Sequence, residues 1–251
     1  MGRRVRLSHG RRLVSDLVRV ARKMPLASMA RNLDLSELAS LRKKVRPQPS
    51  WNVLFMKAYS LVCVESPELR SAYVPFPWPH LYVFEENVCF LTIEREYKNE
   101  IWLLFPRFNK PEKQSIIDLQ NSENFFREEP VENIKQFRHQ IAFSKYPFFI
   151  RRFAWWLVFF ALPRHRARNM GTFGMSLSGF KDTVGAIGSI SLGPTTTTLG
   201  VDPTPRNGIS KLLFTFDHRM LDAKHVYLAI ERLYATLKGP IADEMKALSE
   251  G

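Results

Sequence analysis

The chain has little cysteine, and none of its apolar runs is long enough to cross a bilayer. Its two cysteines in 251 residues, Cys63 and Cys89, lie in apolar runs without the paired spacing of a metal site. We therefore expect reduced, buried thiols in a cytoplasmic protein, and no zinc or iron–sulfur site. The N-terminal stretch MGRRVRLSHGRR lacks the apolar region of a signal peptide.

Acidic residues are scarce relative to basic ones. The chain has 24 Asp and Glu residues and 37 Lys and Arg residues, which gives a formal net charge of +13 and an isoelectric point near 10.0. Such a surface attracts phosphorylated ligands, anionic lipid or nucleic acid, although it is equally consistent with plain solvation. No basic helix with interleaved aromatic residues is present at a docking spacing, so nucleic acid is the least favoured partner.

The apolar content of 45% supports a single α/β domain over residues 1–251. The run ISKLLFTFD (209–217) is rich in β-branched and aromatic residues and predicts a buried strand. From the N-cap Asp222, apolar residues recur at helical spacing until Gly239. Further helices are predicted over about 11–24 and 51–65, and further strands over 171–178 and 186–192.

His218 lies at the corner between this strand and this helix, four positions before Asp222. An imidazole titrates near neutral pH, and a carboxylate one helical turn away can orient it as a general base. The spacing alone leaves two interpretations open, because a lone histidine is also a common structural residue.

The residues around this corner resemble a known family. FDHRMLDA (216–223) is similar to the FDHRxxDG signature of the dihydrolipoamide acyltransferases, the catalytic cores of 2-oxoacid dehydrogenase complexes. GTFGMSLSGF (171–180), PTTTTLGV (194–201) and the N-terminal RLSHGRRLVSDLVRVARKMPLA resemble further family segments in the same order. The resemblance implies an α/β (α+β) fold like that of chloramphenicol acetyltransferase, with a two-layer mixed sheet and helices, in a trimer.

The resemblance also implies a chemistry. A coenzyme A-dependent acyltransferase would move an acyl group between a thioester and an acceptor thiol, hydroxyl or amine. His218 would be the general base, and Ser176 would donate a hydrogen bond to the oxyanion, with Ser178 as the fallback. The two groups would come from different subunits of a homotrimer. Alternatively, Ser176 is an ordinary strand serine.

The family also pairs the aspartate of this signature with an arginine of the first helix, which fixes the histidine loop. Arg11 best matches that arginine, with Arg12 as its neighbour, whereas Asp222 could instead be only a helix cap. Coenzyme A or acyl-coenzyme A is the implied substrate, without a metal. We expect no lipoyl group in this chain, so an acyl carrier or lipoyl protein would be a separate partner.

Two residues depart from the family pattern. Ala223 replaces a glycine and would be strained if the turn required positive φ. Gly174 replaces a threonine and would widen the pocket. These departures motivate an alternative function, a non-catalytic trimeric scaffold or a membrane-associated assembly protein that reuses the fold.

The largest departure is an aromatic segment at about 144–168, centred on PFFIRRFAWWLVFFALP (147–163). Its apolar run of about 15 residues is shorter than the roughly 20 that span a bilayer. Three placements remain open: packing in the core or a subunit interface, lining an acyl-chain pocket, or lying on a membrane surface. In the last case the headgroup-facing residues would be Arg151, Arg152, Arg164, Arg166 and Arg168. The membrane surface is thus the alternative to a cytoplasmic location.

Overall fold

A computed structural model describes residues 2–177, 195–202 and 208–250. Its helices are α1 (His9–Ala21), α2 (Ser36–Lys44), α3 (Trp51–Glu65), α4 (Ile116–Glu128), α5 (Lys135–Lys145), α6 (Phe148–Phe160), α7 (Pro163–Met170), α8 (Ala223–Lys238) and α9 (Pro240–Glu250). Its strands are β1 (Leu26–Asp34), β2 (Ser71–Val74), β3 (His80–Val83), β4 (Val88–Tyr97), β5 (Glu100–Leu104), β6 (Arg107–Asn109), β7 (Phe173–Leu177), β8 (Thr197–Val201) and β9 (Ile209–Asp217). The predicted strand at 186–192 and the fallback Ser178 lie outside the described residues.

The strands of the main sheet follow the order β1-β9-β8-β7-β4-β5, and β6 also pairs with β4. β7 runs parallel to both β4 and β8, and the other pairings of this sheet are antiparallel. β2 and β3 form a separate antiparallel pair. A mixed sheet with packed helices confirms the predicted α/β fold class.

β1 was not predicted from the sequence. Its residues LASMARNLD are mostly small or polar, and Leu33 is its one buried side chain. The strand forms because all nine residues pair with β9, from Leu26 opposite Asp217 to Asp34 opposite Ile209. Tertiary pairing therefore outweighs weak local strand propensity here.

One face of the sheet is covered by α3, which packs against α4, α8 and α9. α3 begins at the N-cap Ser50, whose Oγ accepts a hydrogen bond from the backbone N–H of Val53 at 3.2 Å. The helix is buried on almost all sides. The ring of Tyr59 meets Phe173 of β7 and Phe214 of β9 edge-on, at centroid distances of 5.0 and 5.6 Å. These contacts join the helix layer to the middle of the sheet.

A second, smaller cluster joins α1 to α6. Leu13 and Leu17 of α1 pack with Trp155 and Phe159 of α6, together with Phe90 of β4. Part of the aromatic segment is therefore core. Among the described residues, no helix is both long enough and apolar enough to cross a membrane.

A buried ion pair crosses this α1–α6 contact. Arg151 Nε donates to Asp16 Oδ2 at 2.6 Å, and Arg151 Nη1 donates to the carbonyl of Tyr146, also at 2.6 Å. Both charged side chains are almost fully buried. In the membrane-surface placement Arg151 would face lipid headgroups, but its guanidinium is buried and paired with Asp16.

We predict that Asp16→Ala lowers the free energy of unfolding by about 3–5 kcal/mol, because it leaves the Arg151 guanidinium buried without its carboxylate. Urea unfolding of the two proteins measures the difference. The double variant Asp16→Leu/Arg151→Met is the control, and it should lose less stability than Asp16→Ala because no unpaired charge remains. A loss under about 1 kcal/mol in Asp16→Ala, the range of exposed pairs, would contradict this role.

Candidate functional site

A buried carboxylate fixes the corner that carries His218. Asp217 is 1% exposed, and it accepts hydrogen bonds from the backbone N–H of Arg219 at 3.0 Å and from its Nε and Nη2 at 2.9 and 2.6 Å. The backbone N–H of Met220 donates to the Asp217 carbonyl at 3.0 Å, which closes a tight turn. The N–H of His218 itself donates to the carbonyl of Pro25, just before β1, at 2.9 Å. The backbone at His218 is thus held on both sides.

The His218 side chain leaves this corner toward solvent and is 52% exposed. Its ring lies 5.6 Å from that of Phe216. Nδ1 lies 3.6 Å from Asp222 Oδ1, a contact slightly beyond hydrogen-bond length. In the part of the chain that the structure describes, Nε2 has no hydrogen-bond partner. One ring nitrogen faces a carboxylate while the other is open, which is the arrangement of a general base.

Asp222 is both the helix cap and the neighbour of His218. It is the N-cap residue of α8, and its backbone N–H donates to His225 Nδ1 at 3.3 Å. Ala223 is the first residue of α8 and is not among the residues with positive φ. The strain expected from the missing glycine is therefore absent.

Arg11 does not meet Asp222 within the chain. Arg11 is exposed near the start of α1, whereas the segment that contacts His218 follows the other end of that helix. At 1.5 Å per residue, Arg11 lies about 15 Å from the C-terminal end of α1. The guanidinium that fixes the histidine turn is instead that of Arg219, acting on Asp217. The sequence signal for this pair was an acidic and a basic residue on either side of His218.

A second arginine lies beneath this turn. Arg166 of α7 is almost fully buried, and its Nε and Nη2 have no hydrogen-bond partner among the described residues. Burial lowers the pKa of Arg166 to about 10, which the carboxylate of Asp217 opposes and the charge of Arg219 reinforces. In the membrane-surface placement Arg166 would face lipid headgroups, but its side chain is buried. Arg219 in turn stacks over the ring of Tyr73 at 4.4 Å.

Ser176 lies on β7 between two parallel neighbours, opposite Thr92 of β4 and Gly200 of β8. Its Oγ is buried and has no hydrogen-bond partner within the described ranges. A buried hydroxyl without a partner costs free energy, so such groups are commonly satisfied by a ligand or water. The hydroxyl is available to donate to a substrate oxygen.

His218 and Ser176 are far apart in one chain. Ser176 is in register with Gly200, which is in register with Leu213 of β9. His218 follows Leu213 by five residues, or about 16 Å along the strand, and two strand spacings of about 4.8 Å separate β7 from β9. At this separation the two side chains do not reach one substrate atom within a single chain.

The space expected beside Gly174 is filled. A Cβ at this position would lie 2.3 Å from Phe90 Cε1 and 3.1 Å from Thr198 Oγ1. The absence of a side chain thus admits the buried Phe90 ring, and the expectation of a wider pocket is wrong. Gly174 is required for packing between β4 and β7.

We predict that Gly174→Ala lowers the free energy of unfolding by about 1–3 kcal/mol, because the added methyl group overlaps the Phe90 ring. Thermal or urea unfolding measures the loss. Gly2→Ala is the matched control, since a Cβ at Gly2 meets nothing within 4 Å. Equal stability of the two alanine variants would contradict the packing role.

Residues 2–177, 195–202 and 208–250 contain neither a reactive thiol nor a metal-binding cluster. Cys63 and Cys89 are buried, and burial raises the pKa of both thiols well above the ordinary value. Neither is a thiolate nucleophile at neutral pH. Within the same ranges, no group of three or more His, Cys, Asp or Glu side chains could hold a metal ion.

Comparison with known proteins identifies the fold. No protein-family model and no curated protein matches the sequence. A probable dihydrolipoamide acetyltransferase from Listeria monocytogenes is similar over 94% of both chains, with 14% identity and a TM-score of 0.64. The Azotobacter vinelandii dihydrolipoamide acetyltransferase covers 96% of this chain and 93% of its own, with 16% identity and a TM-score of 0.65. A chloramphenicol acetyltransferase matches 92% of this chain and 96% of its own, at 13% identity and a TM-score of 0.51. The chain has the fold of these proteins.

Proposed function

We propose that this chain is a coenzyme A-dependent acyltransferase whose active site forms between the subunits of a homotrimer. The observation that carries the proposal is the placement of His218. Its backbone is held at the end of β9 and its Nδ1 faces Asp222, while its Nε2 has no hydrogen-bond partner within the described ranges. The fold supports the same class of reaction, because its solved examples include acetyltransferases. The acyl group would pass between a thioester and an acceptor thiol, hydroxyl or amine.

The chemistry assigns one step to each group. His218 Nε2 takes the proton from the attacking group, which adds to the thioester carbonyl and forms a tetrahedral oxyanion. Ser176 Oγ of a neighbouring subunit donates a hydrogen bond to that oxyanion. When the intermediate collapses, the C–S bond breaks, and the His218 imidazolium returns its proton to the departing thiolate. Asp222 stabilises the imidazolium by its charge.

A solved relative supports this assignment. In the Azotobacter vinelandii dihydrolipoamide acetyltransferase, a serine, a histidine and an asparagine have been investigated for roles in catalysis, and the last two lie four positions apart. His218 and Asp222 have the same spacing, with an aspartate in place of the asparagine. An acyl carrier or lipoyl protein as acceptor would be a separate partner of this chain.

A non-catalytic, membrane-associated assembly protein is the second candidate. The exposed aromatic residues of α6, among them Phe149 and Phe153, favour it. Such a scaffold would keep the Asp217–Arg219 pair, because that pair stabilises the turn, but it would not depend on the imidazole of His218. The loss of a reaction on substitution of His218 therefore separates the two candidates.

We predict that the purified protein cleaves or exchanges at least one thioester in a panel of acyl-coenzyme A donors, and that His218→Ala abolishes this activity. Ser176→Ala should lower kcat by roughly 10²–10³-fold, because one oxyanion donor is lost. Release of free coenzyme A thiol measures the rates. His80→Ala, at an exposed histidine of β3, is the matched control and should keep the wild-type rate. An inactive wild type over the whole panel, or an active His218→Ala, would contradict catalysis.

A mixed-subunit experiment tests the shared site. We predict that His218→Ala and Ser176→Ala chains, each inactive or nearly so alone, regain activity when they are refolded together in equal amounts. Random assembly pairs an intact histidine with an intact serine in about a quarter of the sites, so about a quarter of wild-type activity should return. Mixing without refolding is the control for subunit exchange. If no activity returns although mixed trimers form, the site is not shared between subunits.

A further inference from the structure

One side of α6 is apolar and uncovered. Phe149 and Phe153 are 60% and 62% exposed. The half-buried Trp156 stacks on Phe153 at a centroid distance of 6.3 Å and meets the exposed Phe76 edge-on at 5.5 Å. We call these four residues the aromatic face. The backbone N–H of Phe76 donates to the carbonyl of Phe160 at 3.3 Å. This hydrogen bond joins the loop between β2 and β3 to the end of α6.

A basic pocket of about 500 Å³ adjoins the start of the same helix. Its lining includes five cationic side chains and one acidic one, and the acidic one is Asp16, which is already paired with Arg151. The cations that remain are Arg6, Arg12, Lys145 and Arg152. None of these four has an acidic partner among the described residues, so the pocket presents a net positive charge to solvent.

The pocket and the aromatic face are continuous. Phe148 lines the pocket and is itself exposed, and the guanidinium of Arg152 lies 5.0 Å above its ring. Arg152 is adjacent in sequence to Phe153 of the aromatic face. Cationic side chains thus stand at the rim of an apolar helix surface, which is the pattern of a helix that lies in a membrane interface.

Charge decides which partner fits this surface. A second copy of the chain would bring another basic rim against the first, and like charges at close range oppose association. Anionic lipid is complementary to both parts of this surface. Its acyl region accepts the aromatic rings, and its phosphates attract the Lys and Arg side chains of the basic pocket. Tryptophan is also well suited to this boundary, and Trp78, two residues beyond Phe76, is 72% exposed.

We propose that α6 docks the protein on anionic phospholipid membranes, with the aromatic face inserted among the lipids and the basic pocket receiving lipid phosphate. The helix lies in the plane of the interface and does not cross the bilayer. Arg152, Lys145, Arg6 and Arg12 contact headgroups, in place of the buried Arg151 and Arg166. This inference does not depend on the acyltransferase activity.

Sedimentation with vesicles in the absence of substrate tests the proposal. We expect the protein to bind vesicles of phosphatidylcholine mixed with phosphatidylglycerol, and to bind phosphatidylcholine alone much more weakly. The variants Phe149→Glu/Phe153→Glu and Lys145→Glu/Arg152→Glu should each weaken binding by roughly tenfold or more. No binding of the wild type to the mixed vesicles overturns the proposal.

Two matched variants control for general effects. Lys43→Glu/Lys44→Glu makes the same change in net charge on the exposed surface of α2, and Val64→Glu/Phe125→Glu places two glutamates on exposed apolar positions of α3 and α4. Both should bind as the wild type does. If they weaken binding as much as the α6 variants do, overall charge rather than this surface carries the binding, and the proposal fails.

Light scattering and circular dichroism on every variant complete the test. Helical content equal to that of the wild type shows that an α6 variant is folded, and Phe149→Ser/Phe153→Ser replaces the glutamate variant if it is not. If the aromatic variants keep full vesicle binding but change the oligomeric state, the face is a subunit interface and the membrane proposal is overturned.

Discussion

The burial of the Asp217 carboxylate is the constraint on which the His218 corner depends. A buried carboxylate is stable only when it is paired and hydrogen-bonded, and Asp217 meets this requirement through the backbone and guanidinium of Arg219. Those bonds turn the chain immediately after β9. The turn places the His218 backbone on Pro25 and brings Asp222 to the start of α8, opposite the imidazole. The pairing of the buried Asp217 carboxylate with Arg219 thereby fixes the position of the His218 imidazole.

The sheet topology determines how a site can be completed. β7 and β9 are separated by β8, and their register keeps Ser176 and His218 well apart in one chain. Among the described residues, the buried hydroxyl of Ser176 and the Nε2 of His218 nevertheless have no hydrogen-bond partner. In a cyclic assembly, His218 of one subunit could meet Ser176 of the next, which would give one complete site at each interface.

Local patterns predicted β9, α3, α8 and the position of His218, because hydrophobic periodicity and helix caps act over a few residues. β1 could not be predicted in this way, because its nine residues become a strand only through pairing with the distant β9. The space beside Gly174 depends on the Phe90 ring of another strand. Arg11 matched a family position, but it forms no ion pair with Asp222 among the described residues of one chain. The turn at His218 is held by Arg219 and Asp217. The sequence left three placements open for the aromatic segment, and the structure buries only one side of α6.

We propose that His218 of one subunit and Ser176 of another act on the same thioester. An experimental structure of the assembled protein with coenzyme A tests it most directly. We expect a trimer in which the coenzyme A thiol lies within hydrogen-bond distance of His218 Nε2, with Ser176 Oγ of the neighbouring subunit near the carbonyl position of a bound acyl group. A monomer, or an assembly in which His218 and Ser176 remain separated and coenzyme A binds elsewhere, would contradict the shared site.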